Sequence, residues 1–348
     1  MEANMLRIKE YISLMPILIF VFLVFLATVL SAYLSLDSLA YQEIFKKYSA
    51  TGWSKIWLEI RDYEFFFLAL AKVFNGWPSI IWFAIIALCS VSLKLILIHK
   101  GSRDFYLSVL LYVAYFFVLQ DGTGIRVSLA IAIAFFGAFF FSTGRKFLAP
   151  FMITCAAFLF HYSLALFFLI FAFRGKKITY ILILTWPCLI VLWWLGLSGI
   201  SVIKMLVVHI DPEWIGFNQL RSYALRFNET STPYSVQFIF LYIASVIVFF
   251  RFKDDLTSFE VICFNCVFVS LIFLAVFAGA EGLQNRVSEI FRFGLVFVFP
   301  LYYRFCLEVT KKPVIANVLI GIGLAGYFYY YVLRAGLIVW PDSWNVFL

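Results

Sequence analysis

Apolar runs long enough to cross a bilayer as helices recur from one end of this sequence to the other, and nothing else in it limits the fold so strongly. They cover Tyr11–Leu36, Ser79–Ile98, Asp104–Leu119, Ile125–Phe141, Ile178–Ile200, Ser235–Phe250, Ser258–Ala280, Val287–Cys306 and Pro313–Leu333. In hydrocarbon every backbone N–H and C=O must be satisfied without water, which a helix does within its own segment. With 64% hydrophobic and only 13% charged residues, the composition lies outside that of soluble globular domains. The expected fold is an all-α polytopic membrane protein, one integral domain over residues 1–348, with about eleven transmembrane segments including a broken or half-spanning helix pair. Tyr11–Leu36 is too long for a secretory signal and lacks its small-residue cleavage pattern, so it is read as a retained span.

The broken pair comes from Phe147–Phe173, which is apolar except for His161 near its middle. As one helix it would cross once. As two short helices hinged at "HYS" it enters and leaves on the same side. The positive-inside rule separates these readings. With the amino terminus inside and the hinge adopted, the inner connections carry Arg7 and Lys9, Lys100 and Arg103, Arg145 and Lys146, Arg174 with Lys176 and Lys177, Arg251 and Lys253, and Arg304 with Lys311 and Lys312. A single crossing would move Arg174–Lys177 and every later loop to the other side. The arm Phe147–Phe160 rises about 21 Å as a helix, short of the ~30 Å hydrocarbon core, so His161 is expected below the outer surface, facing a polar cavity. The helix ending at Leu119 is short too, which would draw the "QDGTGIR" turn inward and start the helix of Arg126 at a comparable depth.

Two outer loops, 37–78 and 201–234, are expected to contain amphipathic helices. In the second, "DPEWIGFNQLRSYALRFNE" offers Asp211 as an N-cap, Pro212 at the first helical position and apolar residues at helical spacing. The net charge of +8 is mostly inner-face lysine and arginine. The outer face nevertheless gathers Arg126, Arg221, Arg286 and Arg292, whose planar donor forks suit a pyrophosphate-linked lipid head group. Lys94, near the inner end of its span, is read as snorkelling to the interface. His161, beside Tyr162 and Ser163, is an intramembrane polar candidate. Glu64 and Asp62 precede an apolar run and are read as complementing a helix N-terminus. All six cysteines lie inside apolar runs, so neither disulfides nor a metal site are expected, and "CFNC" at Cys263–Cys266 is read as packing. No HExxH, phosphate-binding loop or dinucleotide fingerprint is present; no cofactor and no nucleic-acid partner are expected.

"GIRVSLAIAIAFFGAFFFSTGRKFLAPFMITCAAFLFHYSLALFFL" resembles the central block of the EpsG family of bacterial polysaccharide polymerases, with Arg126, Leu129, Ala130, Phe160, His161 and Ser163 on its pattern. "NRVSEIFRFGLVFVFP" resembles the late block through Arg286, Ser288 and Pro300, and "RDYEFFFLALAKVF" the early one through Glu64 and Phe67, without the Pro-Gly that usually follows the glutamate. The resemblance implies a GT-C-like integral membrane glycosyltransferase, similar to Wzy-type O-antigen or capsule polymerases, in the bacterial inner membrane with a cytoplasmic amino terminus, a periplasmic carboxy terminus and a site facing the periplasm. It implies that undecaprenyl-pyrophosphate-linked oligosaccharide units are joined there without a metal. His161 would serve as base or orienting group, and Arg126, Arg221, Arg286 and Arg292 would hold pyrophosphate. Glu64, Tyr162, Ser163, Asp211 and Glu281 are further polar candidates. Partners would be the lipid-linked oligosaccharide, membrane lipids, a chain-length regulator and a flippase. An O-antigen ligase, a membrane-bound O-acyltransferase and a flippase for the same lipid are the competing functions.

Overall fold

A computed structural model of the chain describes residues 2–59, 64–172, 174–195, 235–278, 281–329 and 337–338. Arg61, Asp62 and the 201–234 connection, with Asp211, Arg221 and Arg226, lie outside them; of Glu281 only the backbone is described. The architecture is helical: α1 (Glu2–Val29), α2 (Ser38–Ala50), α3 (Trp53–Glu59), α4 (Phe65–Val73), α5 (Ser79–Gly101), α6 (Phe105–Leu111), α7 (Ile125–Ser142), α8 (Leu148–Cys155), α9 (Lys176–Trp194), α10 (Val236–Phe252), α11 (Ser258–Val276), α12 (Glu281–Arg292), α13 (Leu295–Thr310) and α14 (Pro313–Phe328). Wider π-helical turns extend α1 over Leu30–Leu34, α6 over Tyr112–Thr123 and α8 over Ala156–Phe160, and a 3-10 helix covers Tyr162–Phe171. Among the described residues, extended pairing is limited to the isolated bridge between Ser35 and Ile338.

Among the described residues, six helices are long and apolar enough to cross a membrane, the bent pair α12–α13 supplies a seventh candidate, and four shorter apolar helices pack with them. Its centre is aromatic: Phe135 of α7 meets Phe167, Phe293 and Phe297 at centroid distances of 4.8, 5.2 and 5.8 Å. Large apolar side chains such as Leu18, Phe22, Phe25, Leu184, Phe240 and Ile322 point outward, as lipid-facing residues must.

The basic connections gather at one end. Arg103 binds Glu260 through Nε at 2.5 Å, Arg251 and Arg304 both bind Glu308, and the Arg174 guanidinium lies 5.1 Å from the Phe141 ring. Helix starts are capped here, by Asp104 on α6 and by the Thr257–Glu260 capping box on α11. Phe141 also meets Phe171 at 4.7 Å, so the 3-10 helix returns to the end from which α8 departed. The expected hinged pair is therefore present, with its break at His161, whose backbone is extended (φ −165°, ψ 112°) between the two helices.

Three expectations are corrected. "QDGT" is not a turn: π-helical geometry continues to Thr123 and the chain breaks only at Gly124, because Gln120 and Asp121 are turned into the bundle. Val287–Cys306 is not one straight span, since α12 and α13 meet at 65°. At the bend Gly294 lies against α11 so closely that a Cβ there would be 2.7 Å from the Cys263 carbonyl oxygen. Lys94 does not snorkel; it is fully buried and hydrogen-bonded inside the bundle.

The 37–78 connection is helical, and it docks on the bundle. Tyr41, Phe45 and Tyr48 recur along one face of α2 and join Ile56, Phe67 and Leu68 in a second apolar cluster closed by Trp82 and Phe83 of α5 and Ile125 of α7. This cap sits at the amino-terminal ends of α5 and α7, opposite the basic connections.

In a cysteine-free background, single cysteines at Gly175 and Asp254 should react together with a membrane-impermeant thiol reagent added from one side, and a cysteine at Asn75 from the other. Shared reactivity of Asn75 and Gly175 would mean that Phe147–Phe173 crosses once. Gly294→Ala should lower stability in detergent by roughly 1–3 kcal/mol, the usual cost of overpacking, whereas Gly175→Ala, where a Cβ meets open space, should leave the melting temperature unchanged.

Candidate active site

The site is organised around the Glu64 carboxylate. Glu64 occupies the N-cap position of α4 with extended backbone (φ −67°, ψ 138°), yet its side chain makes no capping bond. Instead Oε2 accepts from Arg126 Nη1 at 2.7 Å and Oε1 is 2.9 Å from His161 Nδ1. The helix-capping reading of this residue is thus replaced by a bridging one. Glu64 is 1% exposed, while the Arg126 and His161 side chains retain 18% and 13% exposure, so the carboxylate lies beneath two groups that reach the surface.

Each partner is placed by a local break in helical structure. Arg126 is the second residue of α7, directly after the Gly124 break, and Ser128 N bonds Gly124 O at 2.9 Å to start the first turn. The guanidinium carbon lies 5.4 Å from the Phe67 ring, and Tyr41 of α2 is close enough for its hydroxyl and the same guanidinium to act on each other. His161 closes the last π turn, its N–H donating to Ala156 O at 3.0 Å. Phe160 beside it meets Phe66 of α4 at 4.6 Å, which seats the tip of the broken pair on the residues flanking Glu64. The convergence of Arg126 and His161 expected from the short helices is present, with Glu64 as the link.

Burial alone would raise the Glu64 carboxyl; the Arg126 charge beside it and the His161 hydrogen bond outweigh that and hold it at about 2. An ionised carboxylate only accepts, so Nδ1 of His161 must carry the proton shared with it. This leaves Nε2 as the lone-pair nitrogen of the neutral ring.

Among the other candidates, Arg286 on α12 is exposed and close enough for its charge to act on both Tyr41 and His161. Tyr162 is half-buried within the field of Glu64, and Ser163 Oγ is enclosed without a hydrogen-bond partner among the described residues. Arg292 lies in a different setting. It is buried, donates to Tyr115 OH, Ser288 Oγ (2.9 Å) and Ser270 Oγ (3.3 Å), and lies over the Phe238 ring at 4.8 Å.

Two features were missed in the sequence. Tyr41 has no local signal, because its role depends on α2 folding back onto α4. Asp121 did have one: a carboxylate inside an apolar region is a functional or structural centre by default. Here it pairs with Lys94 at 2.8 Å. Among the described residues no group of three or more His, Cys, Asp or Glu side chains is placed to hold a metal ion.

No curated protein and no solved structure matches the chain. The profile of the EpsG family matches residues 13–344, nearly the whole length and including every residue of the Tyr41–Arg126–Glu64–His161 constellation. The chain belongs to the EpsG family.

Proposed function

We propose that this protein is a polysaccharide polymerase that joins undecaprenyl-pyrophosphate-linked oligosaccharide units at the periplasmic face of the bacterial inner membrane. The observation that carries this reading is the Arg126–Glu64–His161 chain at the end of the bundle opposite the basic connections. By the positive-inside rule that end faces outward. Family membership supports the same class of reaction.

In this mechanism a sugar hydroxyl of the acceptor unit attacks the anomeric carbon of the donor unit. His161 Nε2 accepts the hydroxyl proton as the new carbon–oxygen bond forms. The bond between the anomeric carbon and the pyrophosphate oxygen breaks, and the leaving pyrophosphate lipid takes that electron pair. Arg126 and Arg286 stabilise the charge it gains; fixed cations in a partly dry site do this without reorganising. Glu64 touches neither reactant. It holds the imidazole in one tautomer, stabilises the imidazolium that forms, and anchors Arg126 beside it, the role a buried carboxylate plays behind a catalytic histidine. Arg292, engaged with Tyr115, Ser270 and Ser288, supports the fold around α12 in this account. The Lys94–Asp121 pair is mutually neutralised and sealed within the bundle, so it supplies no charged path for carrying the lipid head group across the membrane, which disfavours a flippase.

Arg126→Lys should lose about tenfold or more in polymerisation by reconstituted protein, because an ammonium cannot reproduce planar two-point contact with both Glu64 and phosphate. Arg145→Lys, at an exposed turn of the basic end, should be neutral. Equal activity of Arg126→Lys and wild type would return Arg126 to anchoring its helix. His161→Ala should lower single-turnover rates by roughly 10²–10⁴ with donor binding little changed. Glu64→Gln should fall between wild type and His161→Ala. The double variant should lose less than the product of the two single losses, since the part of Glu64's effect that runs through His161 is already gone, while the part that runs through Arg126 remains. Additive losses would mean that Glu64 does not work through His161.

A further inference from the structure

Among the buried charges outside the candidate site, Lys94 and Asp121 form a pair sealed within the bundle. Lys94 of α5 and Asp121 near the end of the π-helical part of α6 are fully shielded, with Nζ 2.8 Å from Oδ2. The ammonium also donates to Gln120 Oε1 at 3.0 Å and Ser128 Oγ at 2.6 Å, which occupies its three hydrogens. Asp121 accepts from Ser90 and Ser128 on Oδ1 and from Tyr112 on Oδ2, each at 2.6 Å. A pair so enclosed cannot touch substrate; its effect is on the elements it joins.

Those elements carry the site. Ser128 stands in the first turn of α7, two residues after Arg126. The ammonium is also 5.4 Å from the Phe293 ring, and Phe293 lies at the α12–α13 bend, directly after the helix that bears Arg286. Phe293 packs in turn on Phe116 at 5.3 Å, within the same π-helical stretch as Asp121. One buried cation therefore contacts both the first turn of α7 and the bend that directly follows α12. A buried ion pair adds little net stability compared with apolar side chains of the same size, and its best-attested use is to fix one arrangement among several.

We propose that the Lys94–Asp121 pair is a positioning device that sets the spacing of Arg126 and Arg286, and thereby makes the site select a diphosphate lipid over a monophosphate lipid. This rests on the pyrophosphate reading above. Two guanidinium groups grip two linked phosphates only when their separation matches, and a misplacement of about 1 Å forfeits much of the gain.

The test uses undecaprenyl pyrophosphate and undecaprenyl phosphate as competitors of polymerisation by purified protein in proteoliposomes. Wild type should be inhibited about tenfold more strongly by the diphosphate, the worth of one charge-assisted contact. Absence of that preference in wild type would sink the pyrophosphate reading itself. Lys94→Met combined with Asp121→Asn removes both charges together, so neither is left buried alone. This variant should keep a cooperative melting transition while the preference drops to about threefold or less. A folded double variant with the wild-type preference would overturn the positioning role. Should the double variant not fold, Ser128→Ala, which cuts only the link to α7, is read in the same assay. A reduced preference with unchanged monophosphate inhibition supports the role, and an unchanged preference overturns it.

Discussion

A single carboxylate bound on both oxygens makes this site. Glu64 draws together a residue from the start of α7, a residue from the tip of a broken helix pair, and through Arg126 a tyrosine from the docked cap. An ionised carboxylate at 1% exposure is tolerable only with cationic or strong donor partners in place. The same requirement that makes Glu64 costly to bury fixes Arg126 and His161 relative to each other, so the site's geometry follows from satisfying one charge.

The fold supplies that geometry by interrupting helices at defined points. Gly124 ends the π-helical stretch and lets α7 begin with Arg126 in its first turn; the extended backbone at His161 swings the imidazole out of the helix axis; Gly294 allows α12 to turn 65° from α13 and present Arg286. Non-helical backbone within a membrane domain persists where protein covers it or where it lines a polar site. Here the apolar cap of Tyr41, Phe45, Tyr48 and Phe67 covers the neighbourhood of the break at Gly124.

The sequence disclosed unequal parts of this. Helical class and the number of apolar segments were legible because hydrocarbon thickness constrains each run independently of its neighbours. The reversal at His161 was legible too, since loop charge reports which side each connection lies on. Glu64 is a site candidate only through the resemblance, and its own surroundings suggest no more than charge complementation at a helix N-terminus, because its two partners stand 62 and 97 residues away and local pattern carries no trace of such a contact. Lys94 was misjudged for the same reason: distance from a helix end suggests snorkelling, whereas the deciding fact is Asp121, 27 residues on, which offers the ammonium a partner inside the bundle. The bend at Gly294 leaves no mark within the run Val287–Cys306, because the constraint there comes from a carbonyl of α11.

The central claim is that this constellation transfers a glycan from one lipid pyrophosphate to another sugar chain. It is tested most directly by following purified protein in proteoliposomes loaded with undecaprenyl-pyrophosphate-linked repeat units. Free undecaprenyl pyrophosphate and glycan length are measured in the same samples. The account predicts one undecaprenyl pyrophosphate released for each repeat unit added to a growing chain, with no nucleotide sugar supplied. Release without chain growth, or no release at all from protein that is folded and correctly inserted, would contradict it.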